Sequence, residues 1–260
     1  VSWNALIAGY SHQRQCLSAW NSLIHMGNEG FSPDLVTFIC MLNACANMGA
    51  IDNGEQIHYQ IVMEGLLEKY VVIGNALIDM YAKCGLLEKA QQVLDELCIR
   101  NVVSWSTLII GYTQHGKAES ALNCFIQMQE TDGITPNEVT LSCVLKACGN
   151  LGILGKGKQI HNEIVKRGFL KDMVVGTALV DMYAKCGMLK KAQEILEEIP
   201  IRDVVSWCAL IAGYVEHGKA YEALNCFEQM TIEGLSPDAI TFIFILKGYG
   251  SIRAIDRGKE

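Results

Sequence analysis

The chain has 260 residues, of which 50% are hydrophobic and 8% aromatic, and it contains only four prolines. This composition is typical of a folded globular protein and excludes a disordered or collagen-like chain. No apolar run reaches the roughly 18 residues that a membrane-spanning helix needs, so no membrane association is expected. The net charge of −7 argues against nonspecific nucleic-acid binding but allows a local basic groove.

Cysteine is common in this chain, with eleven residues and no C-x-x-C spacing. The number is odd, and most cysteines recur with the repeat described below, for example in YAKCG and ALNCF. We interpret them as small buried hydrophobic residues rather than disulfide partners. This interpretation predicts a reducing compartment.

The chain is a repeat from its first residue. VSWNALIAGY returns as VSWSTLIIGY and VSWCALIAGY, each time 102 residues further on, and residues 71–101 match residues 173–203 at 19 of 31 positions. Smaller similar pieces divide this period, at 1–34, 35–70, 71–101, 102–137, 138–172, 173–203, 204–238 and 239–260. The first piece looks clipped at its start and the last looks partial, which suggests an excerpt from a longer array. Self-similarity at 20 to 50 residues is typical of solenoid proteins.

Each piece is predicted to form two helices. In the third piece, apolar residues follow helical spacing at Leu77, Met80, Tyr81 and Cys84. Gly85 then interrupts the pattern, as glycine does just past a helix end. A second helix is predicted to bury Leu87, Ala90, Leu94 and Leu97.

The longer pieces end in Ser-Pro-Asp or Thr-Pro-Asn, where proline ends one pair and the polar residue caps the next helix. A two-helix unit of this size buries its apolar face only by stacking on its neighbours. The sequence therefore predicts an all-α protein, an α-solenoid of stacked helix-turn-helix pairs that forms one array with a right-handed superhelix.

These motifs resemble the pentatricopeptide repeat family of plant organelles over the whole chain. The residues that carry the resemblance are the VSW decapeptide, GNALIDMYAKCG and the closing Pro-Asp or Pro-Asn. The alternating lengths resemble the PLS subclass, with P pieces at 1–34, 102–137 and 204–238, L pieces at 35–70, 138–172 and (partial) 239–260, and S pieces at 71–101 and 173–203. An extra residue near positions 131–133 departs from the pattern.

The resemblance implies single-stranded RNA binding with one base per repeat. In this family an aliphatic second position packs against the faces of the bases. The second positions here are Val1, Val36, Val72, Val103, Val139, Val174, Val205 and Ile240. The alternative is that these β-branched residues only pack at helix starts, and the sequence does not separate the two interpretations.

The base itself is read by the fifth position together with the last residue of a piece. A carboxamide offers both donors and acceptors, whereas a hydroxyl leaves room for a purine. The resemblance implies that Asn4 with Asp34 reads uracil, Asn75 with Asn101 a pyrimidine, Ser106 with Asn137 adenine, and Thr177 with Asp203 guanine. Cys208 with Asp238 leaves the base open, and Ser142 with Asp172 has readable chemistry in a less reliable L piece. The alternative is that all of them are ordinary solvent-facing or capping residues.

The fifth positions of two L pieces are the apolar Ile39 and Ile243. Ile39 with the closing Tyr70 cannot make the hydrogen bonds that a base needs, so these pieces are expected to act as spacers or to contact a protein. The expected target is 5′-U-N-Y-A-N-G-N-3′, with the first repeat toward the 5′ end. Lys83 and Lys185, in YAKCG, are candidates for phosphate contacts, or they are solvated lysines beside a negative helix end.

The family implies a chloroplast or mitochondrial location and a role in specifying sites of C-to-U RNA editing, with editing-cofactor proteins as further partners. The alternatives are a protein-binding solenoid and a factor for RNA stabilisation or splicing. No catalysis, cofactor or metal is expected from this repeat region. His161 and Glu163 match half of a zinc deaminase signature, but no C-x-x-C follows. A deaminase domain of the parent protein would lie outside this chain.

Overall fold

The computed structural model describes residues 2–13 and 15–257, with side chains up to residue 250. Over this part of the chain it holds sixteen α-helices and no β-strand. The helices are α1 (Trp3–His12), α2 (Cys16–Asn28), α3 (Leu35–Met48), α4 (Ile51–Met63), α5 (Leu66–Lys69), α6 (Val71–Lys83), α7 (Leu87–Glu96), α8 (Val102–Gln114), α9 (Ala118–Glu130), α10 (Glu138–Leu151), α11 (Leu154–Arg167), α12 (Met173–Lys185), α13 (Leu189–Glu198), α14 (Val204–Glu216), α15 (Ala220–Ile232) and α16 (Ala239–Arg257). A 3₁₀ turn covers Phe169–Lys171.

Each of the first seven sequence pieces contains one pair of the longer helices. The last piece contains α16. The predicted fold class, an all-α stack of helix-turn-helix pairs, is confirmed. The second helices of the two S pieces, α7 and α13, have 10 residues each, whereas those of the other complete pieces have 13 or 14. A shorter second helix therefore accounts for the shorter S pieces.

The chain divides into two compact units, Val1–Thr135 and Pro136–Glu260. In the first unit, the first helices of the pairs (α1, α3, α6 and α8) pack side by side in chain order. In the second unit, α10, α12, α14 and α16 do the same. Within each unit the second helices form another layer against these first helices, so that the core lies between the two layers.

Glycine lets neighbouring first helices approach closely. A Cβ on Gly111 of α8 would lie 2.7 Å from the Cβ of Ala82 on α6. A Cβ on Gly213 of α14 would lie 2.5 Å from the Cβ of Ala184 on α12. Both glycines belong to the Gly-Tyr that closes the repeated decapeptide, so this close contact gives a physical reason for its recurrence.

The tryptophan of the decapeptide ties the closing loop of its piece to the helix start. Trp105 Nε1 donates a hydrogen bond to Asp132 Oδ2 at 2.8 Å, and Trp207 Nε1 donates to Glu233 Oε2 at 3.0 Å. Arginines of the preceding S pieces pair with the same carboxylates, Arg100 with Asp132 and Arg202 with Glu233. Because of the extra residue near positions 131–133, Asp132 follows its tryptophan by 27 residues, whereas Glu233 follows Trp207 by 26. Asp132 nevertheless makes the same hydrogen bond as Glu233.

Two short elements near the ends of the L pieces were not predicted. Gly65 and Gly168, with φ of +62° and +75°, follow the second helices α4 and α11 in the left-handed conformation. The chain then makes α5 or the 3₁₀ turn before the next first helix begins. Elements of three or four residues are too short to show a helical periodicity, so a pattern of apolar residues does not reveal them.

Helix α16 is longer than the other first helices, with 19 residues. Its counterpart α10 ends at Gly152, which has a left-handed φ of +67°. The equivalent position in the last piece is Arg253, and a residue with a Cβ does not favour that conformation. The helix therefore continues past the expected end of a first helix.

All eleven cysteines are free thiols, and six of them are buried. Burial raises the pKa of Cys124 and of Cys226 to about 12, because the apolar core disfavours the thiolate. These thiols behave as small hydrophobic residues, as expected. Among the described helices, none combines the length and the apolar character required to cross a lipid bilayer.

We expect Gly213→Ala to lower the stability of the chain by about 1–3 kcal/mol, because the added methyl group overlaps Ala184 and forces neighbouring helices apart. The matched control is Gly9→Ala, at the same place in the first decapeptide, where a Cβ meets no atom within 4 Å. This control is expected to stabilise helix α1 by about 0.5–1 kcal/mol. Urea denaturation followed by circular dichroism measures both. Equal midpoints for the two variants would contradict the close-packing role of Gly213.

Candidate functional site

The closing residue of a piece caps the first helix of the next piece. In six cases a closing side chain accepts a hydrogen bond from the third backbone N–H of that helix, at 2.7–3.0 Å: Asp34, Asn101, Asn137, Asp172, Asp203 and Asp238. This bond satisfies a backbone donor that the helix leaves unpaired. The capping role considered from the sequence is therefore present. It occupies one of the two polar atoms at the end of each closing side chain.

The second polar atom of the closing residue can meet the fifth position of its own piece. Asn4 Nδ2 donates to both carboxylate oxygens of Asp34, at 3.0 Å each. Thr37 Oγ1 donates to Asn4 Oδ1 at 2.6 Å. These three residues form one hydrogen-bond network across α1 and α3, so the structure brings the predicted uracil-reading pair into direct contact.

The predicted pyrimidine-reading pair is joined through a third residue. Ser104 Oγ lies 2.6 Å from Asn75 Oδ1 and 3.1 Å from Asn101 Oδ1. Asn101 Oδ1 also accepts from the backbone N–H groups of Val103 and Ser104, so its carbonyl side faces the helix start. Asn75 and Asn101 thus occupy the same junction, on α6 and at the start of α8.

The predicted guanine-reading pair has a different pattern. Asp203 caps α14 through the Ser206 backbone N–H at 2.8 Å, and Ser206 Oγ bonds to the Asp203 backbone oxygen at 2.9 Å. Thr177 Oγ1 is buried and has no hydrogen-bond partner. A buried hydroxyl without a partner is uncommon in folded proteins, and Thr177 is therefore not linked to Asp203 in the way that Asn4 is linked to Asp34.

A cavity of about 320 Å³ assembles five predicted site residues in the second unit. It is lined by two second-position residues, by the fifth-position and closing residues of one P piece, and by a candidate phosphate lysine: Val205, Ile240, Cys208, Asp238 and Lys185. Residues taken from three different pieces of the sequence thus converge on a single space between α12, α14 and α16.

The thiol in this cavity is shielded from solvent. Cys208 is 9% exposed, and burial raises the pKa of its thiol while a hydrogen bond with Thr241 opposes the change. Thr241 Oγ1 also donates to Asp238 Oδ1 at 2.7 Å. Hydrogen bonds from the Thr241 backbone and side chain lower the pKa of Asp238, so this carboxylate stays charged at neutral pH.

The remaining fifth-position residues vary in their surroundings. Ser106 is 5% exposed and lies deeper than a groove-facing position suggests. Ser142 Oγ donates back to the Glu138 backbone oxygen at 2.8 Å within α10. Ile39 is half-buried, and Tyr70 makes no side-chain capping bond to α6.

The second positions are exposed apolar residues. The seven within the described residues are 47–60% exposed: Val36, Val72, Val103, Val139, Val174, Val205 and Ile240. Val1 lies outside the described residues. About half of each residue is therefore open to solvent, and the other half is packed against the protein.

Both candidate phosphate lysines form ion pairs one helical turn away. Lys83 Nζ lies 2.7 Å from Asp79 Oδ2, and Lys185 Nζ lies 2.8 Å from Asp181 Oδ2. Lys185 also donates to Asn150 Oδ1 at 3.0 Å. These are partly exposed pairs that hold the lysine heads at the last turn of a first helix.

The role of the third position in helix capping was not predicted from the sequence. Five pieces have a fully buried hydroxyl residue there: Thr37, Ser104, Thr140, Ser206 and Thr241. Each follows a polar closing residue by three positions, in the pattern of a capping motif. This recurrence is the signal that would have identified them. The two S pieces have Ile73 and Val175 instead.

The partial deaminase signature is structural. His161 shares a 2.8 Å hydrogen bond with the Tyr183 hydroxyl, as His58 does with Tyr81 at 2.9 Å, and Glu163 pairs with Arg167. Within the part of the chain that the structure describes, no group of three or more histidine, cysteine or acidic residues is placed to hold a metal ion.

Comparison with known protein families identifies this architecture. A model of the PPR repeat family matches residues 1–47, 100–150 and 202–251, and a PPR repeat model matches residues 75–102 and 177–204. These matches cover most of the chain. The chain belongs to the pentatricopeptide repeat (PPR) family.

Curated relatives come from Arabidopsis thaliana. The pentatricopeptide repeat-containing protein At2g33680 is 38% identical over 258 residues, which cover 99% of this chain and 35% of the relative. A putative mitochondrial relative, At3g13770, is 39% identical over 92% of this chain and 38% of its own length. The chloroplastic At4g18520 is 34% identical over 100% of this chain and 42% of its own length. The chain thus spans about two fifths or less of the length of these relatives.

Solved structures share the fold. The pentatricopeptide repeat protein PPR10 from maize aligns with 99% of this chain and 37% of its own length, with a TM-score of 0.81 at 24% identity. PPR10 in complex with an 18-nucleotide psaJ RNA element gives the same TM-score over 95% of this chain and 37% of PPR10. A tetratricopeptide repeat protein from Parabacteroides merdae gives 0.52 at 15% identity, over 94% of this chain and 96% of that protein.

Acid is expected to weaken the cap of helix α3. Hydrogen bonds, the largest from the Thr37 backbone N–H, lower the pKa of Asp34 below its ordinary value of 3.8. Because the folded-state pKa is depressed, the stabilising effect is complete above the unfolded-state pKa and is lost as pH falls through the folded-state value. Asp34→Asn keeps a good cap that does not titrate. We therefore expect the melting temperature of the wild type to fall relative to this variant between pH 5 and pH 2, as measured by circular dichroism. A constant difference over this range would contradict the role of the charged carboxylate.

Proposed function

We propose that this chain binds single-stranded RNA in a sequence-specific manner, with one base per repeat. The observation that carries the proposal is the cavity between α12, α14 and α16. This cavity is lined by the second-position residues Val205 and Ile240, by the proposed reading pair Cys208 and Asp238, and by Lys185, together with the acidic Asp181 and Glu216. Apolar side chains beside hydrogen-bonding groups suit a nucleobase, which has apolar faces and hydrogen-bonding edges, and Lys185 is the cation available to the phosphate of the nucleotide.

The capping bonds explain how a closing residue can both fold the protein and read a base. One polar atom of the side chain accepts from the next helix, and the other is placed beside the fifth position; in Asp34 this second oxygen accepts from Asn4 Nδ2 and keeps a further lone pair for a base. In Asp34 this second atom, Oδ2, is an acceptor, whereas in Asn101 it is the amide Nδ2, a donor. Uracil and guanine have an N–H where cytosine and adenine have a bare ring nitrogen. An aspartate therefore favours the first two bases and an asparagine favours the other two.

This chemistry supports the order 5′-U-N-Y-A-N-G-N-3′. Asn4 with Asp34 reads uracil, Asn75 with Asn101 a pyrimidine, and Thr177 with Asp203 guanine. Ser106 and Asn137 are assigned adenine, and Cys208 with Asp238 is left without a base. The L pieces act as spacers in this scheme. The maize PPR10 structures with a bound RNA element support RNA as the class of ligand.

Phosphate contacts are proposed for Lys83 and Lys185. Each lysine is held by an aspartate one turn back, so binding of RNA requires the ammonium group to share or exchange that partner. Partly exposed ion pairs of this kind contribute only about 0.2–1 kcal/mol, so exchanging the aspartate for a phosphate costs little free energy. The affinity is expected to fall with rising salt concentration, with a logarithmic slope of about −0.7 for each phosphate neutralised on a single strand.

In the cell, we place this chain in a mitochondrial or chloroplast protein that marks a transcript for C-to-U editing, in which a deaminase outside this chain performs the reaction. Relatives named mitochondrial and chloroplastic support the location. The alternation of P, L and S lengths supports the link to editing. Editing-cofactor proteins are the proposed partners of the L pieces, where Ile243 is 62% exposed.

The decisive test is a change of base preference. Asp203→Asn keeps the cap on α14 but replaces an acceptor with a donor, so we expect the sixth base to change from guanine toward adenine. By analogy with base contacts in DNA, one good contact is worth about 1–3 kcal/mol of discrimination. Fluorescence anisotropy with short RNAs that carry UNYANGN, varied only at the sixth base, measures the change. A scrambled RNA and the wild-type chain are the controls.

Three outcomes separate the alternatives. A preference that follows the mutation supports both the pairs and the register. Tight binding without any change in preference would contradict the base assignment and leave RNA binding in place. If the wild type binds no RNA better than the scrambled control, the RNA proposal is wrong for this chain and a protein-binding groove becomes the favoured function.

A further inference from the structure

We propose that the buried hydroxyl at the third position of a following piece is a positioning residue of the base reader, with Ser104 acting on Asn75 and Thr37 acting on Asn4. The inference rests on the proposed function, because it concerns how the RNA-reading amide is oriented. These hydroxyls are not expected to touch RNA, since both residues are fully buried. They act through the fifth-position side chain of the preceding piece.

Each hydroxyl group is fixed by the start of its own helix. The Asn101 backbone N–H donates to Ser104 Oγ at 3.2 Å, and the Asp34 backbone N–H donates to Thr37 Oγ1 at 3.2 Å. Since a hydroxyl has a single proton, that proton is left to be donated elsewhere. In both cases the shortest contact for it is the amide oxygen of the fifth-position asparagine, at 2.6 Å.

This donated proton decides which end of the asparagine amide faces the junction. A carboxamide can rotate to exchange its oxygen and nitrogen, which inverts the pattern it shows to a base. With the hydroxyl bonded to Oδ1, the Nδ2 group is directed to the other side. For Asn4 that side carries both oxygens of Asp34, at 3.0 Å, which hold the same orientation independently.

Fewer hydrogen bonds orient the amide of Asn75. Its closing partner is the amide Asn101, whose Oδ1 is already taken by the backbone N–H groups of Val103 and Ser104. The Ser104 hydroxyl is therefore the main group that fixes the Asn75 amide. Loss of the hydroxyl should matter more at Asn75 than at Asn4.

The chain contains a natural contrast in Ser206. This residue is also fully buried and caps its helix in the same way, but its hydroxyl bonds to the Asp203 backbone oxygen. The fifth-position residue there, Thr177, has an Oγ1 without any partner. Ser206 therefore shares the folding role of Ser104 without the positioning role.

The test compares Ser104→Ala, Thr37→Val and Ser206→Ala in the full 260-residue chain. Binding is measured with RNAs that carry UNYANGN and differ in one base at a time. Ser104→Ala should reduce the discrimination among bases at the third position of the RNA by about tenfold, the ordinary weight of one hydrogen bond. The preferences at the first and sixth bases should not change. Thr37→Val should reduce the uracil preference at the first base by a smaller factor, and Ser206→Ala should leave the sixth base unaffected.

A rescue variant and a folding control complete the design. Ser104→Thr retains the hydroxyl and should restore the third-base preference, and circular dichroism melting reports any loss of the helix cap. If Ser104→Ala weakens all RNAs equally, the hydroxyl has only a structural role and the inference is wrong. It is also wrong if Ser206→Ala changes the sixth-base preference as strongly as Ser104→Ala changes the third. Failure of the wild type to discriminate any base would overturn the proposed function, and this inference with it.

Discussion

The hydrogen bond between a closing side chain and the first turn of the next helix is the constraint on which the site depends. At six junctions it sets the start of the next first helix, and thereby the place where the fifth-position residue of the preceding piece meets its neighbour. In the junction of Asn4, Asp34 and Thr37, one bond of 2.8 Å to the backbone fixes the carboxylate, which is then placed 3.0 Å from the amide. The same hydrogen bond therefore both stabilises the helix start and positions the carboxylate of the proposed reader.

Close packing of the first helices brings these junctions into contact. Gly111 on Ala82 and Gly213 on Ala184 let adjacent first helices approach to a distance that no larger residue would permit. At that separation, side chains from three successive pieces can line one cavity, as they do around Cys208. The second-position residues Val205 and Ile240 line this cavity and remain half exposed.

The proposed reader combines residues that are fixed by the backbone with a fifth-position residue that has fewer hydrogen bonds. Closing residues and third-position hydroxyls are tied to the backbone and vary within narrow chemical limits. The fifth position has fewer ties: an amide at Asn75, an unpaired hydroxyl at Thr177 and a shielded thiol at Cys208 occupy equivalent places. Under the proposed function, such an arrangement would let the base preference of a repeat change without loss of the helix cap, while the decapeptide keeps its large residues.

The sequence by itself determined the helix pairs and the closing residues that cap the next helix, because helical periodicity, glycine and the closing Pro-Asp are local signals. It also pointed to the family, through motifs that recur every 102 residues. The linkage of Ser104 to Asn75 and the unpartnered oxygen of Thr177 depend on distances between residues about 30 positions apart, which no local pattern encodes. The short helix α5 and the extension of α16 were not predicted for a different reason. Each depends on only one or two residues, which are too few to form a pattern. Only the packing of neighbouring first helices decided which polar atoms are paired, and that pairing gives the site its chemistry.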